Sequence, residues 1–284
     1  MRYVVDSGST KSTWMSIDGN CKISIAGLNP LTTDEGMRSA TLAIVKKRLL
    51  EEGPVDEIHF YGAGCGSDKG KQIIKESLTK VFGDIKVEAE GDLLGACRAL
   101  LGHSNGYAGI LGTGSNACHY NGKSIDRKIC SMGYLLGDEG SGNHIGRLLT
   151  KEFLSGKMPK NMSAVFHENY CCGKTKEEMV AELYGEPMVN RYFGAMSHFA
   201  NHFRKSRYIQ GILLRSFSEY FDNQVTPLFR GDGVQSISLT GSVAWFFSNE
   251  VRKAAKKADI KIDKIVPEPV DGMAEFHRGV SKKS

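Results

Sequence analysis

Two segments rich in glycine and hydroxyl side chains could bind phosphate groups. The first is Asp6-Ser7-Gly8-Ser9-Thr10-Lys11, and the second is Gly112-Thr113-Gly114-Ser115; each follows an apolar, strand-like run. Successive backbone N–H groups in such turns form an anion-binding concavity, to which the hydroxyls add donors. Asp6 could hold a hydrated Mg²⁺ that offsets phosphate charge. A polar hairpin turn is the alternative for either segment alone, but two such turns together favour a nucleotide site.

Two further motifs contain glycine at a boundary between elements. Gly137-Asp138-Glu139-Gly140-Ser141 opens a predicted helix, where its acids could equally serve the helix dipole. Thr240-Gly241-Ser242 lies between a predicted strand and a helix, so its backbone could lie flat against a planar ligand. Strand-glycine-helix turns are common, and this last motif is weak by itself.

The elements that must position these motifs alternate as in a layered α/β protein. The first half is predicted to contain strands at 2–6, 13–17, 22–26, 56–61 and 85–90 and helices at 34–52, 68–82 and 92–101. The pattern then restarts, with strands at 107–111, 117–120, 124–131, 234–239 and 260–265, a mostly helical stretch at 142–229, and helices at 243–257 and 271–278.

This restart predicts two related halves, each opening with a strand, a Gly/Ser/Thr turn and a second strand. We expect one domain at 1–105 and a second at 106–284, the second with a helical insertion. The last helix could pack back on the first domain.

Composition narrows the function classes. The 284 residues carry a net charge of +5, too modest and too scattered for a nucleic-acid binder. No apolar run reaches the ~18 residues of a membrane span. The start of the chain lacks the long apolar stretch of a secretory signal, so we expect a cytoplasmic protein. Its seven cysteines lack the spacing of a zinc ribbon or a disulfide framework.

Taken in order and spacing, the four motifs resemble the N-acetylglucosamine kinase branch of the BadF/BadG/BcrA/BcrD ATPase family. That family belongs to the actin, Hsp70 and sugar-kinase superfamily. The resemblance implies an α/β protein of two ribonuclease-H-like (actin-like ATPase) domains that close over ATP, Mg²⁺ and a small sugar. It implies phosphorylation of an amino sugar, N-acetylglucosamine at its 6-hydroxyl. We expect no nucleic-acid or membrane partner, and a homodimer is possible on the same resemblance.

The resemblance also implies roles for particular residues. Asp6 would lie near Mg²⁺, through water, beside a first phosphate loop of Gly8, Ser9, Thr10 and Lys11, and Gly112, Thr113 and Gly114 would form the second loop. Gly241 and Ser242 match the adenosine segment. Asp92 matches the catalytic base, which also contacts the sugar, although aspartate is a common helix cap. Asn29, Ser115 and Asp138 resemble the other sugar contacts, with Ser115 beside the acetamido group.

Two departures bear on the substrate and the subfamily. Ser131-Met132-Gly133-Tyr134 stands where this branch carries Gly-Trp-Gly-His, which removes an aromatic near the sugar and keeps N-acetylmuramate and glucosamine open. The zinc-binding cysteines of the related ROK sugar kinases are also absent, since Cys171 and Cys172 are adjacent.

Two rival functions come from the same superfamily. An ATPase activator of a radical acyl-CoA dehydratase would hold an iron–sulfur cluster through paired cysteine-glycine motifs. The sequence offers Gly64-Cys65-Gly66 but no second Cys-Gly-Gly. A sugar-sensing repressor would need no catalytic base and would carry a DNA-binding extension before the first strand.

Four other features carry no predicted site. His198 and His202 have metal-ligand spacing without a third ligand, and the Gly66–Lys71 segment fails the P-loop pattern. The basic run at 252, 253, 256 and 257 is expected on the solvent face of a helix. The aromatic residues at 192, 193, 199 and 203 are expected in the core.

Overall fold

The computed structural model describes residues 1–186, 189–229, 231 and 235–280. Its strands are β1 (Arg2–Ser7), β2 (Lys11–Ser16), β3 (Lys22–Ala26), β4 (Glu57–Gly62), β5 (Lys86–Gly91), β6 (Asn105–Leu111), β7 (Ser115–Asn121), β8 (Ile125–Lys128), β9 (Ser236–Thr240) and β10 (Lys261–Val266).

The helices lie between and after these strands. They are α1 (Glu35–Leu50), α2 (Asp68–Phe82), α3 (Asp92–Leu101), α4 (Gly133–Leu136), α5 (Gly142–Leu154), α6 (Lys160–Phe166), α7 (Lys176–Gly185), α8 (Val189–Ala195), α9 (Ser197–His202), α10 (Arg207–Tyr220), α11 (Ser242–Phe246), α12 (Ser248–Lys257) and α13 (Val270–Val280). Two π-helical turns, His167–Cys171 and Phe221–Val225, and a 3₁₀ turn, Thr226–Leu228, complete the helical region.

The described strands form two five-stranded sheets with the same topology. The strand order is β3-β2-β1-β4-β5 in the first sheet and β8-β7-β6-β9-β10 in the second. In each sheet the first three strands in sequence pair antiparallel and the last two add in parallel. The relation between the two halves that the repeated strand–turn–strand pattern predicts is therefore present in the topology. We refer to the two sheets with their helices as the first and second lobes.

β1 is the central strand of the first sheet and is buried on both faces. Tyr3 and Val5 pack with Trp14 in one core cluster, and Val4 packs with Met273 of α13 in another. An apolar run without alternation is typical of such a doubly covered strand. After this apolar run the strand becomes polar at Asp6, at the end of the sheet that carries the first glycine turn.

α3 and α13 connect the two lobes. α3 follows the first sheet in the chain but packs on β6 and β9 of the second, and α13 follows the second sheet but packs on β1 and β2 of the first. The two helices also pack on each other. Because Asp92 is the first residue of α3, the position of this acid depends on both lobes.

Two details of the predicted elements need correction, and a third lies outside the described residues. The helix predicted at 243–257 is two helices, α11 and α12, because the backbone of Phe247 leaves helical geometry with its ring buried in the core. The strand predicted at 124–131 is only β8, and the short helix α4 follows it. Val234, the predicted start of β9, lies outside the described residues.

The features expected to be structural are indeed structural. The basic residues of α12, Arg252, Lys253, Lys256 and Lys257, are exposed, and Ala254 and Ala255 face the core. The aromatic residues at 192, 193, 199 and 203 all belong to the second-lobe core. Every helix in the described ranges is too short or too polar to cross a bilayer.

Gly272 allows the close contact between α13 and α3. A Cβ at this position would lie 2.5 Å from the Ala99 carbonyl oxygen. We expect Gly272→Ala to lower the free energy of unfolding by about 1–3 kcal/mol, since the overpacking outweighs the better helix propensity of alanine. Thermal and urea unfolding would measure the change. Gly279→Ala on the same helix has nothing within 4 Å and should be neutral or slightly stabilising; equal effects of the two would contradict the packing argument.

Candidate nucleotide and sugar cleft

The first glycine turn is the tight connection between β1 and β2. The Gly8 N–H donates to the Lys11 carbonyl at 2.9 Å, and the Gly27 N–H, just after β3, donates to the Thr10 carbonyl at 3.1 Å. A Cβ at Gly27 would lie 2.3 Å from the Gly8 carbonyl oxygen, so any side chain there would displace the turn. The end of β3 therefore fixes the turn, with Ser9 and Thr10 at its tip.

The second glycine turn joins β6 to β7 and is fixed by the start of α5. The N–H groups of Gly142 and Asn143 donate to the carbonyls of Gly112 and Thr113 at 2.8 and 3.1 Å. Gly241 lies on the opposite side, with φ of 114°, and a Cβ there would lie 2.4 Å from the carbonyl oxygen that ends β6. The predicted adenosine segment thus packs directly on the second turn.

The two turns meet across the cleft between the lobes. The Oγ1 atoms of Thr10 and Thr113 are 3.4 Å apart, although 103 positions separate them in the chain. Both tips present hydroxyls and backbone N–H groups, the donors that phosphate oxygens accept. The structure therefore brings together the two segments that the sequence singled out, and their tips face each other.

Asp6 lies at the end of β1, next to the first turn, in surroundings poor in positive charge. The pKa of Asp6 is raised to about 7, mainly by loss of solvent and also by the nearby carboxylates of Asp92 and Glu268. Lys11 opposes this effect, but its ammonium is already paired with Glu268 at 2.6 Å. The carboxylate of Asp6 therefore lacks a cation that would fully compensate it.

Oxygen donors at this place in the cleft suit a hydrated divalent cation. Mg²⁺ prefers oxygen ligands and keeps several waters, so one or two carboxylates suffice to hold it. Asp6, whose pKa is raised by burial and by a neighbouring carboxylate, would gain the missing positive charge. The residues present fit the ion.

Asp92 begins α3 and lies in the same cleft, partly buried. Its Oδ1 accepts a hydrogen bond from the Leu93 N–H at 2.9 Å. Loss of solvent raises the pKa of Asp92, and this outweighs the backbone hydrogen bonds that lower it; the charge of Asp138 raises it further. The residue before it, Gly91, is the helix N-cap and makes no side-chain hydrogen bond. Asp92 is therefore the first helical residue and not the N-cap, although its carboxylate accepts backbone N–H groups at the start of α3.

Asn29 is close to the first turn rather than isolated. Its Nδ2 donates to Ser9 Oγ at 3.3 Å, and its Oδ1 accepts from the Leu31 N–H at 2.9 Å. A Cβ at Gly64 would lie 2.3 Å from that oxygen. Asn29 is thus held by Ser9 of the first turn and by the Leu31 backbone, and it packs closely against the loop after β4.

Ser115 and Asp138 line a narrow pocket of the second lobe, beside the second turn. The Ser115 N–H donates to Asp138 Oδ1 at 3.4 Å, and Asn143 Nδ2 donates to Asp138 Oδ2 at 3.3 Å. Burial raises the pKa of Asp138 and outweighs these two hydrogen bonds. Asp138 adopts a left-handed backbone with φ of 57°, which aims its carboxylate at the second turn.

Two residues that the sequence did not single out belong to this region: Gln224 lines the pocket, and Asn143 lies buried behind Asp138. Gln224, in a π-helical turn, donates through Nε2 to Ser115 Oγ at 2.9 Å and to Glu139 at 2.7 Å. The Oδ1 of buried Asn143 has no hydrogen-bond partner among the described residues. A π-helical turn often marks a functional site, but nothing in the local sequence predicts one. Asn143 follows the Gly-Asp-Glu-Gly-Ser motif closely and could have been suspected.

The segment that departs from the sugar-kinase pattern lies at the mouth of this pocket. Ser131 and Met132 line it, and the Met132 side chain is exposed, as are those of Leu135 and Leu136 in the adjoining α4. Ser242, in the predicted adenosine segment, is also exposed at the start of α11.

The described residues contain one cluster with metal-ligand geometry, and it lies outside the cleft. It consists of Glu57, His59 and Glu88 on β4 and β5. Lys86 pairs with Glu57 at 2.6 Å, and His277 of α13 stacks on His59 with ring centroids 3.7 Å apart. The cluster is thus already satisfied by protein groups and serves the docking of α13. His198 and His202 are not part of any such cluster in the described ranges.

A change at Asp6 tests the electrostatics of the cleft. The pKa of Asp6 lies near 7 in the fold, against an ordinary value of 3.8, so the folded state binds this proton more tightly. The stability that protonated Asp6 contributes to the fold is fully present below pH 4 and is lost as the pH rises through 7. We expect Asp6→Asn to raise the free energy of unfolding of the nucleotide-free protein by about 1–3 kcal/mol at pH 8, and by less at pH 4.5. Urea unfolding at both pH values would measure this.

Asp84→Asn, which changes an exposed acid, is the control and should alter stability by less than about 0.5 kcal/mol at either pH. A loss of stability on Asp6→Asn at pH 8 would contradict the charge imbalance.

Solved structures similar to this chain cover it almost end to end. A Porphyromonas gingivalis protein provisionally named N-acetylglucosamine kinase matches with a TM-score of 0.90 at 29% identity, over 98% of this chain and 99% of that one. A Chromobacterium violaceum protein of the same provisional name matches with a TM-score of 0.71 at 17% identity, over 97% and 99%. MreB5 of Spiroplasma citri, solved with ADP, matches with a TM-score of 0.53 at 10% identity, over 99% and 96%.

No protein-family model matches the sequence, and no curated protein matches it. The likeness to these structures agrees with the two sheets of identical order and the cleft between them. The chain has the two-domain α/β fold of the actin-like ATPases and sugar kinases.

Proposed function

We propose that this protein is an ATP-dependent sugar kinase that phosphorylates N-acetylglucosamine at its 6-hydroxyl. The observation that carries the proposal is the 3.4 Å approach of the two glycine turns with Asp6 and Asp92 beside them. The enzyme class is also supported by the likeness to the Porphyromonas gingivalis protein over nearly the whole of both chains. The substrate and the roles of individual residues follow from the motifs and the chemistry of the cleft.

The two turns would hold the nucleotide phosphates. Backbone N–H groups and the hydroxyls of Ser9, Thr10 and Thr113 can donate to phosphate oxygens from both sides, while Gly8, Gly112 and Gly114 let the backbone approach closely. Bound Mg²⁺ would offset the charge that develops on the phosphate oxygens. Asp6 would hold that ion, through water, at the end of β1. Gly241 and Ser242 would lie beside the adenosine.

Asp92 would act as the general base. Its carboxylate takes the proton of the sugar 6-hydroxyl as the oxygen forms a bond to the γ-phosphorus. The bond from that phosphorus to the β–γ bridging oxygen breaks, and the electron pair leaves with ADP. A pKa raised by burial makes this carboxylate a stronger base than one in water, and such a base contributes ~10²–10⁴-fold to the rate.

The sugar would lie between Asn29 on the first lobe and the Ser115–Asp138 pocket on the second. Asp138, whose two oxygens already accept from Ser115 and Asn143, can accept further from sugar hydroxyls. Ser115 would lie beside the acetamido group, with its hydroxyl oriented by Gln224.

The burial of Cys65 disfavours the role of a dehydratase activator. Its thiol is fully buried, and burial raises its pKa to about 12, whereas a cluster ligand must be a thiolate. N-acetylmuramate and glucosamine remain as alternative substrates within the kinase class. A panel of hexosamines with coupled ADP release would rank the three, and no turnover on any of them would overturn the proposal.

Asp92→Asn is the direct test of the base. We expect kcat with ATP and N-acetylglucosamine to fall by about 10²–10⁴-fold, with little change in the KM of either substrate. A coupled assay for ADP would measure it. Asp68→Asn is a matched control, since Asp68 is also the first residue of its helix but is exposed; it should retain normal turnover. Unchanged kcat in Asp92→Asn would exclude this carboxylate as the base.

Ser115→Ala tests whether Ser115 contacts the acetamido group of the sugar. We expect KM for N-acetylglucosamine to rise about tenfold, the cost of one hydrogen bond, and KM for glucosamine to change little. Steady-state kinetics on both sugars would show the difference. Ser104→Ala, at an exposed serine, should leave both values unchanged. An equal rise in KM for the two sugars would contradict a contact between Ser115 and the acetamido group.

A further inference from the structure

The helical region of the second lobe contains a short helix, α8, that lies over the second glycine turn. A Cβ at Gly194 would lie 3.2 Å from Thr113 Cγ2. On its other side α8 presses against α5, where a Cβ at Gly146 would lie 2.0 Å from the Phe193 carbonyl oxygen. Two glycines therefore let α8 approach both the turn and the helix that holds it.

From α8 a single side chain reaches the opposite lobe. Arg191, nearly one helical turn before Gly194, donates through Nη2 to the Ser9 carbonyl oxygen at the tip of the first turn. The two residues are 182 positions apart. α8 thus touches both glycine turns, the second through its backbone and the first through this guanidinium.

The hydrogen-bond partner of the Arg191 guanidinium is a neutral carbonyl and not an anion. A guanidinium has five N–H donors arranged to bind two anionic oxygens at once. Within the described ranges, the Ser9 carbonyl is the hydrogen-bond acceptor of the Arg191 side chain, and no ion pair of this guanidinium is found there. As far as the described residues show, most of its donors are therefore uncommitted.

Other cations near the cleft are already engaged. Lys11 forms an ion pair with Glu268 at 2.6 Å. Arg147 donates to the carbonyls of Leu135 and Gly137 at 2.7 and 2.8 Å. Arg191 is therefore the cation best placed to meet a terminal phosphate held between the two turn tips.

We infer that Arg191 is a catalytic residue that binds the γ-phosphoryl group of the nucleotide triphosphate. This inference rests on the proposed kinase function. Two parallel N–H donors would meet two non-bridging γ-oxygens and offset their charge as the phosphorus leaves the β–γ bridging oxygen for the sugar oxygen. Because Arg191 and Ser9 belong to different lobes, the guanidinium is in position only when the lobes are closed.

The test compares ligands that differ by this one phosphate. We expect Arg191→Met to weaken binding of a non-hydrolysable ATP analogue by about 10–100-fold and binding of ADP by less than about threefold, measured by isothermal titration with Mg²⁺. In steady-state turnover, Arg191→Met should lower kcat by at least about 100-fold, and the KM for the sugar should rise by a smaller factor. Arg191→Lys keeps the positive charge but loses the two parallel N–H donors, so its affinity for the ATP analogue and its kcat should lie between those of the wild type and of Arg191→Met.

Arg207→Met is the matched control, an exposed arginine of the same helical region that should behave as the wild type. Equal losses of ADP and analogue binding would mean that Arg191 only holds the first turn, and no loss of either would remove it from the site; both results overturn the inference. If the wild type phosphorylates no hexosamine, the proposed substrate fails, but the comparison of ADP with the analogue still decides the role of Arg191.

Discussion

The approach of two turn tips from different lobes is the constraint on which the cleft depends. Thr10 and Thr113 meet at 3.4 Å because each turn is held from behind by elements of its own lobe. Gly27 fixes the first turn and Gly241 packs on the second, through backbone contacts that leave no room for side chains, and the Gly142 N–H donates to the second turn. Turns held in this way would not need to be ordered when the proposed phosphate groups bind, which would avoid that entropic cost.

The same cleft concentrates negative charge. Asp6, Asp92 and Asp138 all have raised pKa values, each because burial removes solvent and because another carboxylate is near. Raised pKa values from both causes are typical of functional sites, where stability is lost in favour of reactivity. A divalent cation would relieve Asp6, and a substrate proton would pass to Asp92. The raised pKa values of the cleft and its proposed chemistry thus have one origin.

The geometry of α3 and α13 determines how the two lobes hold together. Each helix packs on the sheet of the other lobe, so relative motion of the lobes must move Asp92 at the start of α3. Domain closure in such enzymes excludes water and completes the catalytic arrangement. Because α3 packs on both lobes, closure would also move Asp92, the proposed base.

Much of this architecture could be predicted from local patterns. Apolar runs ending in Gly/Ser/Thr turns predict β1, β6 and the loops after them, because strand burial and turn chemistry are local properties. The reach of Arg191 to Ser9 could not be predicted, since it depends on how the helical region folds over the second turn. The position of Gln224 in the pocket could not be predicted for a similar reason, since its π-helical turn arises from packing. Phe247 interrupts a regular amphipathic pattern because burial of its ring outweighs helix propensity.

A crystal structure with ADP, Mg²⁺ and N-acetylglucosamine would test the central claim most directly. We predict that the β-phosphate lies between Thr10 and Thr113 and that the sugar 6-hydroxyl lies within hydrogen-bond distance of Asp92. A nucleotide bound away from the two turns, or a sugar whose 6-hydroxyl faces away from Asp92, would contradict it.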